Sequence, residues 1–124
     1  MKENTVVIGR KGEDEAVRFL KKENYNIIHR RWKYGRYEID IIAMDHQQLV
    51  FIEVKKRNNN IISVDQIISE GQKKRIIQAA HYYITTNAID SDIRFDLIFM
   101  DNRIKTTTFT HYKDFFSPTI DETK

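Results

Sequence analysis

Residues 37–44 (YEIDIIAM) and 48–56 (QLVFIEVKK) are two β-rich runs on either side of a short polar connection, Asp45-His46-Gln47. Such a pattern predicts a β-hairpin, and its side chains fix the register. A two-residue turn at His46-Gln47 pairs Asp45 with Gln48 and Met44 with Leu49. One face then receives Ile39, Ile41, Ala43, Val50, Ile52 and Val54, all apolar. The other pairs Ile42 with Phe51, Asp40 with Glu53, and Glu38 with Lys55. A slip of one residue would carry charges into the apolar face. Both faces are apolar near the turn, so both are expected to be covered.

This register sets Asp40 directly opposite Glu53 on one sheet face. Like charges opposed across strands are destabilising. A divalent cation, a shared proton or nearby cations must offset them. Lys55 lies on the same face, two residues from Glu53. On one reading Lys55 and Glu38 neutralise the group as a structural salt-bridge cluster. On the other, the acids serve phosphodiester hydrolysis. Magnesium is a hard ion that takes carboxylate oxygens and keeps several waters. Two carboxylates one strand spacing apart, ~5 Å, can hold such an ion between them. The ion polarises a phosphate and lowers the pKa of a bound water. Asp40 and Glu53 are therefore candidate ligands for Mg²⁺ or Mn²⁺, with Lys55 as electrostatic or water-positioning partner. Glu13 lies three, four and seven residues before Ala16, Val17 and Leu20. That spacing places it on the core-facing stripe of a helix, either as a further acidic contact to the metal or as a first-turn acid favouring the helix dipole.

Cations and aromatic residues surround these acids in the chain. Arg30, Arg31, Lys33 and Arg36 are interleaved with Trp32, Tyr34 and Tyr37, and further patches follow at Lys55-Lys56-Arg57 and Lys73-Lys74-Arg75. Cations on phosphates give affinity without sequence information, and interleaved rings can stack on unpaired bases. Taken singly, each patch also reads as a wet surface. Lys73, three before Ile76, falls near an apolar stripe and is expected to point toward the site. The net charge of +3 is unevenly placed: +5 over residues 1–89 and −2 over 90–124. A polyanion partner suits that basic part.

The remaining periodicities predict a helix over 10–23, preceded by Gly9 and Gly12 and capped by Asn24. A strand is expected at 25–31 and a turn or loop from Trp32 to Arg36. A second helix within 66–86 carries the stripe Ile76, Ile77, Ala80 and Ile84. Strands are expected at 94–100 and 104–112, turned at Asp101-Asn102, with a loop at Asn58-Asn59-Asn60 and a polar tail over 118–124. The order α, three strands, α, two strands describes an α/β domain over 1–117, with a central mixed β-sheet flanked by helices.

Composition removes several chemistries. The 124 residues include no cysteine, which excludes disulfides, thiolate zinc, iron–sulfur clusters and cysteine nucleophiles. His29, His46, His81 and His111 lack paired zinc-ligand spacing. No glycine-rich loop suggests a nucleotide cofactor. Any metal must then be held by oxygen. The lysine beside Glu53 and its basic surround fit phosphate better than the sugar of a glycosidase. No apolar run approaches the ~18 residues needed to span a membrane. Val6-Val7-Ile8 is too short for a secretory signal, so a cytoplasmic protein is expected.

The ordered motifs have a familiar form. Gly9-x-x-Gly12-Glu13-x-x-Ala16, Glu38-Ile39-Asp40-Ile41-Ile42-Ala43, Val50-Phe51-Ile52-Glu53-Val54-Lys55-x-Arg57 and Arg94-Phe95-Asp96 together resemble the YraN-like family of small bacterial proteins. The resemblance spans roughly residues 9–100. That family is similar to the PD-(D/E)xK nucleases, with the restriction-endonuclease-like fold of archaeal Holliday junction resolvases. It implies Glu13, Asp40, Glu53 and Lys55 at the nuclease centre. Tyr37 stands where the family usually has Gly before Glu-x-Asp. The expected function is a Mg²⁺-dependent endonuclease on DNA, including branched DNA; the alternative is a non-catalytic nucleic-acid-binding module on the same fold. Cutting two strands takes two centres, which would suit a homodimer, and Tyr112, Phe115 and Phe116 are a candidate exposed patch for it.

Overall fold

The computed structural model describes residues 5–57, 66–101 and 106–118, with residues 5–11 as backbone alone. Helix α1 (Thr5–Lys22) leads into strands β1 (Asn26–Tyr34), β2 (Tyr37–Asp45) and β3 (Gln48–Lys56). Helix α2 (Glu70–Thr86) follows, then β4 (Asp92–Asp101) and β5 (Thr108–Phe116). The strands form one mixed sheet in the order β1-β2-β3-β4-β5. Neighbours run antiparallel except β3 and β4, which are parallel. A parallel pair needs a long crossover, and α2 lies within it.

The two helices cover opposite faces, as the hairpin requires. Ala16, Val17 and Leu20 of α1 pack on Ile41, Ala43, Val50, Ile52, Ile98 and Met100. Ile76, Ala79, Ala80 and Tyr83 of α2 pack on Ile42, Leu49, Phe51, Phe95, Leu97 and Phe99. The central strands are thus apolar on both sides because neither side meets water.

Local signals set the helix ends. Lys21 and Lys22 occupy the last turn of α1, where cations oppose the negative dipole end. Asn24 takes φ of 70° and the Tyr25 N–H donates to the Leu20 carbonyl at 3.0 Å, a left-handed termination. Ser69 caps α2, accepting from the Gln72 N–H at 3.1 Å while the Gln72 side chain accepts from the Ser69 N–H at 3.2 Å, a capping box.

Three expectations are corrected. Gly9 and Gly12 lie inside α1 rather than before it: the helix extends N-terminally because neither glycine is followed by a breaker. The turn expected over Trp32–Arg36 shrinks to Gly35-Arg36, and β1 continues to Tyr34. Tyr112, Phe115 and Phe116 are not an exposed patch; they pack against the α2-side core, with Phe116 stacked on Phe95 at 4.9 Å. Strand β5 is Thr108–Phe116, with residues 106–107 before it, and residues 104–105, the expected loop at 58–60, the turn residue Asn102 and the tail from 119 lie outside the described residues. Among the described residues no helix is long and apolar enough to cross a membrane.

Candidate active site

The β2–β3 ladder follows the expected register from Asp45–Gln48 to Ile41–Ile52, and it stops there. Asp40 and Glu53 are not ladder partners. Strict alternation would put Ile39 with Ile41, yet Ile39 packs on the α2 side with Ile42. The side-chain alternation of β2 therefore breaks at Asp40, which re-aims its side chain. On the neighbouring strand, Arg31 between the Arg30–Ile41 and Trp32–Ile39 pairs takes φ of 53°, a strained setting for a residue with a Cβ.

The result is a fork between β2 and β3, roofed by α1. A cleft of about 340 Å³ opens there, lined by Gly12, Glu13, Glu38, Asp40, Lys55 and Lys56 among others. The fork replaces ladder bonds with side-chain bonds. The Val54 N–H donates to Asp40 Oδ2 at 2.8 Å, and the Asp40 N–H faces the Glu53 carboxylate. Glu53 is 5% exposed. Its strand position is that of Leu49 and Phe51, on the α2 side, where the buried Tyr37 hydroxyl faces it. Neither Glu53 Oε2 nor the Tyr37 hydroxyl closes a hydrogen bond of good geometry among the described residues.

The electrostatics follow from this burial. Desolvation pushes the Asp40 carboxyl up to about 6; Glu13 and Glu38 add to the rise, while the Val54 N–H and Lys55 oppose it. Burial likewise raises Glu53 well above the ordinary carboxylate range, and the Asp40 charge raises it further. Burial also raises the Tyr37 hydroxyl, and Glu53 and Asp40 add to that.

Each residue expected at the centre can now be placed. Glu13, Asp40 and Lys55 line one cleft, and Glu53 meets Asp40 from behind it. Lys55 closes no ion pair within 4 Å among the described residues and faces both Asp40 and Glu53 electrostatically. The expected Glu38–Lys55 pairing is absent: Glu38 lies 3.9 Å from Arg31 and 3.8 Å from Lys33. The cations of β1 face acids. Arg31 bonds Glu13 at 3.1 Å, and Arg30 bonds Asp14 at 2.6 Å and reaches Glu13 at 3.5 Å. Arg57 pairs with Asp101 at 3.1 Å and lies over the Phe99 ring. Lys56 lines the cleft, and Arg36 and Lys74 are exposed. Lys73 does not point into the cleft; it pairs with Glu70 at 3.0 Å and lies over the Phe116 ring.

The donor set can be tested against a hard cation. Among the described residues no group of three or more carboxylates or histidines converges in ligating geometry, and Glu13 Oε1 is taken by arginine. Asp40 and Glu53 fit as a pair, however. An unpartnered buried oxygen on Glu53 and the Asp40 charge that raises it are what a bound cation relieves. Mg²⁺ needs only one or two carboxylates, since it keeps its waters.

Sequence reasoning missed one cluster. Asp96, 1% exposed, accepts from Arg94 Nε and a second Arg94 nitrogen, each at 2.8 Å, from the Asp114 N–H at 3.0 Å, and bonds His111 Nε2 at 2.7 Å. Arg94 also donates to Asp45 at 2.9 Å, to Gln48 at 2.8 Å and to the Tyr25 hydroxyl. The network ties β2, β3, β4 and β5 at the end of the sheet opposite the fork. Burial alone would raise Asp96, but Arg94, His111 and the Asp114 N–H outweigh it and hold the carboxyl at about 2. The signal was Arg94 and Asp96 sharing one face of an otherwise apolar strand.

Comparison with known proteins places this arrangement in a family. Residues 12–100 match Uncharacterised protein family UPF0102, a span that begins in α1 and ends in β4. The chain is similar to UPF0102 protein BF0634 of Bacteroides fragilis, with 35% identity over 92% of this chain and 95% of that one. It is 34% identical to a UPF0102 protein of Parabacteroides distasonis over 90% of this chain and 93% of that one. With a UPF0102 protein of Chlorobium chlorochromatii the identity is 36%, over 91% and 93%.

Proposed function

The chain belongs to the uncharacterised protein family UPF0102, and from that premise we propose that it is a Mg²⁺- or Mn²⁺-dependent endonuclease acting on DNA, including branched or otherwise structured DNA, in the cytoplasm. One observation carries the reading: Asp40 and the buried Glu53, both raised above the ordinary carboxylate range and the second in part by the Asp40 charge, lie at the root of an open cleft that also presents Lys55. A structural cluster would neutralise the acids with a direct ion pair, and Lys55 makes none among the described residues. When bound between the acids, the cation supplies phosphate polarisation and a more acidic water.

The chain's own residues divide the remaining work. Asp40 and Glu53 hold the cation, and the Val54 and Asp40 N–H groups fix their carboxylates. Lys55 orients the attacking water or stabilises the charge that builds on the phosphate. Lys56 lines the same cleft and takes a neighbouring phosphate. Glu13 is the further acid of the centre, released toward the cleft when Arg31 turns to phosphate. A homodimer would bring two such centres to two strands.

Cleavage of labelled junction, flap and duplex DNA with Mg²⁺ or Mn²⁺ tests the reading. The wild type should cut at least one of them, and Asp40→Asn, Glu53→Gln and Lys55→Ala should each lower the rate roughly 100-fold or more. Lack of cleavage by wild type on all substrates, or full activity in Asp40→Asn, sinks it. A second reading is favoured by the arginine-bound state of Glu13: a binding module that uses the fold without catalysis. It predicts salt-dependent DNA affinity that neither metal nor Glu53→Gln alters.

A further inference from the structure

Five of the cations around the centre face acids: Arg30, Arg31 and Lys33 of β1, then Arg57 and Lys73. Arg36 and Arg75 differ, closing no ion pair among the described residues. Both line a groove of about 480 Å³ with Tyr34, Tyr37 and Gln78. That groove adjoins a second of about 630 Å³, which shares Tyr34 and Gln78 and is lined further by Tyr82 and His81. Neither groove has an aspartate or glutamate in its lining.

The grooves also carry two of the most exposed aromatic rings, Tyr34 at 37% and Tyr82 at 47%. Their centroids are 4.8 Å apart. Trp32 backs Tyr82 at 6.2 Å and is itself wedged edge-on against the buried Tyr83 at 5.1 Å. The rings thus form a supported ledge rather than loose side chains. We propose that this ledge seats an unpaired stretch of single-stranded DNA, with bases stacked on Tyr34 and Tyr82 and phosphates on Arg36 and Arg75.

Three points select this occupant. Aromatic faces accept any base, and stacking needs no hydrogen-bond match. The unpaired arginines without neighbouring acids fit phosphates. A second copy of the chain is disfavoured, because a two-fold contact centred on the ledge would bring Arg36 and Arg75 near their own copies. The β1–β2 turn joins ledge and centre: Tyr37 lines the groove and faces Glu53, and the next residue, Glu38, lines the cleft. The inference deepens the proposed function and rests on it: the substrate is DNA whose single-stranded segment lies beside the phosphate to be cut.

Binding is read in EDTA, so that no strand is cut, by the anisotropy of labelled oligothymidylate and of a duplex of equal length. The wild type should prefer the single strand. Tyr82→Ala should weaken that binding roughly 5- to 100-fold and leave the duplex nearly unchanged, while Tyr82→Phe retains it. Arg75→Ala should weaken it and flatten its salt dependence. The emission of Trp32, the chain's one tryptophan, should change on binding the single strand. Equal affinity of wild type and Tyr82→Ala for the single strand overturns the inference. So does a dimer that Tyr82→Ala dissolves in sedimentation without loss of DNA affinity. The two proposals fail separately. Ring-dependent strand binding without cleavage by any metal-loaded wild type defeats only the nuclease. Cleavage with no dependence of binding on Tyr82 defeats only the ledge.

Discussion

The Val54 N–H donates to Asp40 Oδ2 at 2.8 Å, so the carboxylate of one strand stands where the partner strand's carbonyl would otherwise accept. The Asp40 N–H faces the Glu53 carboxylate in return. The Val54 amide thereby keeps a partner where the two strands part, and the separation makes the cleft. The acids are part of the fold as well as of the candidate site.

Asp40 should make the folded chain less stable as pH rises. Its folded carboxyl sits at about 6 against an ordinary 3.8, so the folded state holds the proton more tightly. That contribution is fully present below the ordinary value and is lost as pH rises through about 6. Asp40→Asn keeps an acceptor for the Val54 N–H and has no charge to bury. Urea unfolding should show Asp40→Asn more stable than wild type by on the order of 2 kcal/mol near neutral pH, with the gap closing under acid conditions. A variant less stable than wild type at neutral pH contradicts this.

A divalent cation should raise the melting temperature where protons no longer compete for the acids. Millimolar Mg²⁺ or Mn²⁺ is expected to stabilise the wild type above the Asp40 value of about 6, with the effect fading as pH falls through it. Glu53→Gln should abolish the shift. Differential scanning fluorimetry reads both, and an equal shift in the variant would point to binding elsewhere.

Asp96 should behave in the opposite sense. Its folded carboxyl is held at about 2, so its stabilisation is present above the ordinary 3.8 and is lost as pH falls toward 2. Asp96→Asn leaves Arg94 buried with fewer partners and should lower stability by about 3 kcal/mol near neutral pH. Chemical denaturation is the check; a loss well under 1 kcal/mol by roughly the same measure would mean that Asp45 and Tyr25 suffice for Arg94.

Gly35 isolates a backbone effect. It takes φ of 60°, and an added Cβ would meet nothing within 4 Å. Gly35→Ala should therefore destabilise by about 1 kcal/mol through conformation alone, and Gly35→Asn by less. Equal stability of all three proteins in denaturant would show that the β1–β2 turn relaxes to negative φ.

The hairpin was legible because its side-chain period is two and a slip exposes charge. Every ladder pair from Asp45–Gln48 to Ile41–Ile52 follows that pattern. Coverage of both faces was legible for the same reason. Helix α1 was read short because Gly9 and Gly12 lower helix propensity, an effect of about 1 kcal/mol each that the longer helix overcomes. The β1 cations were read as a phosphate surface because sequence does not reveal which acids another element brings. Arg30 and Arg31 face Glu13 and Asp14 only once α1 lies across the sheet. Tyr82 passed unnoticed, and Arg75 was read only as part of a basic patch, because their partners Tyr34 and Arg36 are more than thirty residues away in the chain.

The sequence alone determined the strand register from the turn to Ile41–Ile52, the two covered faces and the proximity of Asp40, Glu53 and Lys55. These follow from side-chain period and residue type, which are local. Tertiary structure decided that β2 and β3 part at Asp40, that Glu53 lies behind the cleft, and which cations face acids. Those depend on contacts between distant elements, where burial and charge are fixed by neighbours that the linear chain does not display.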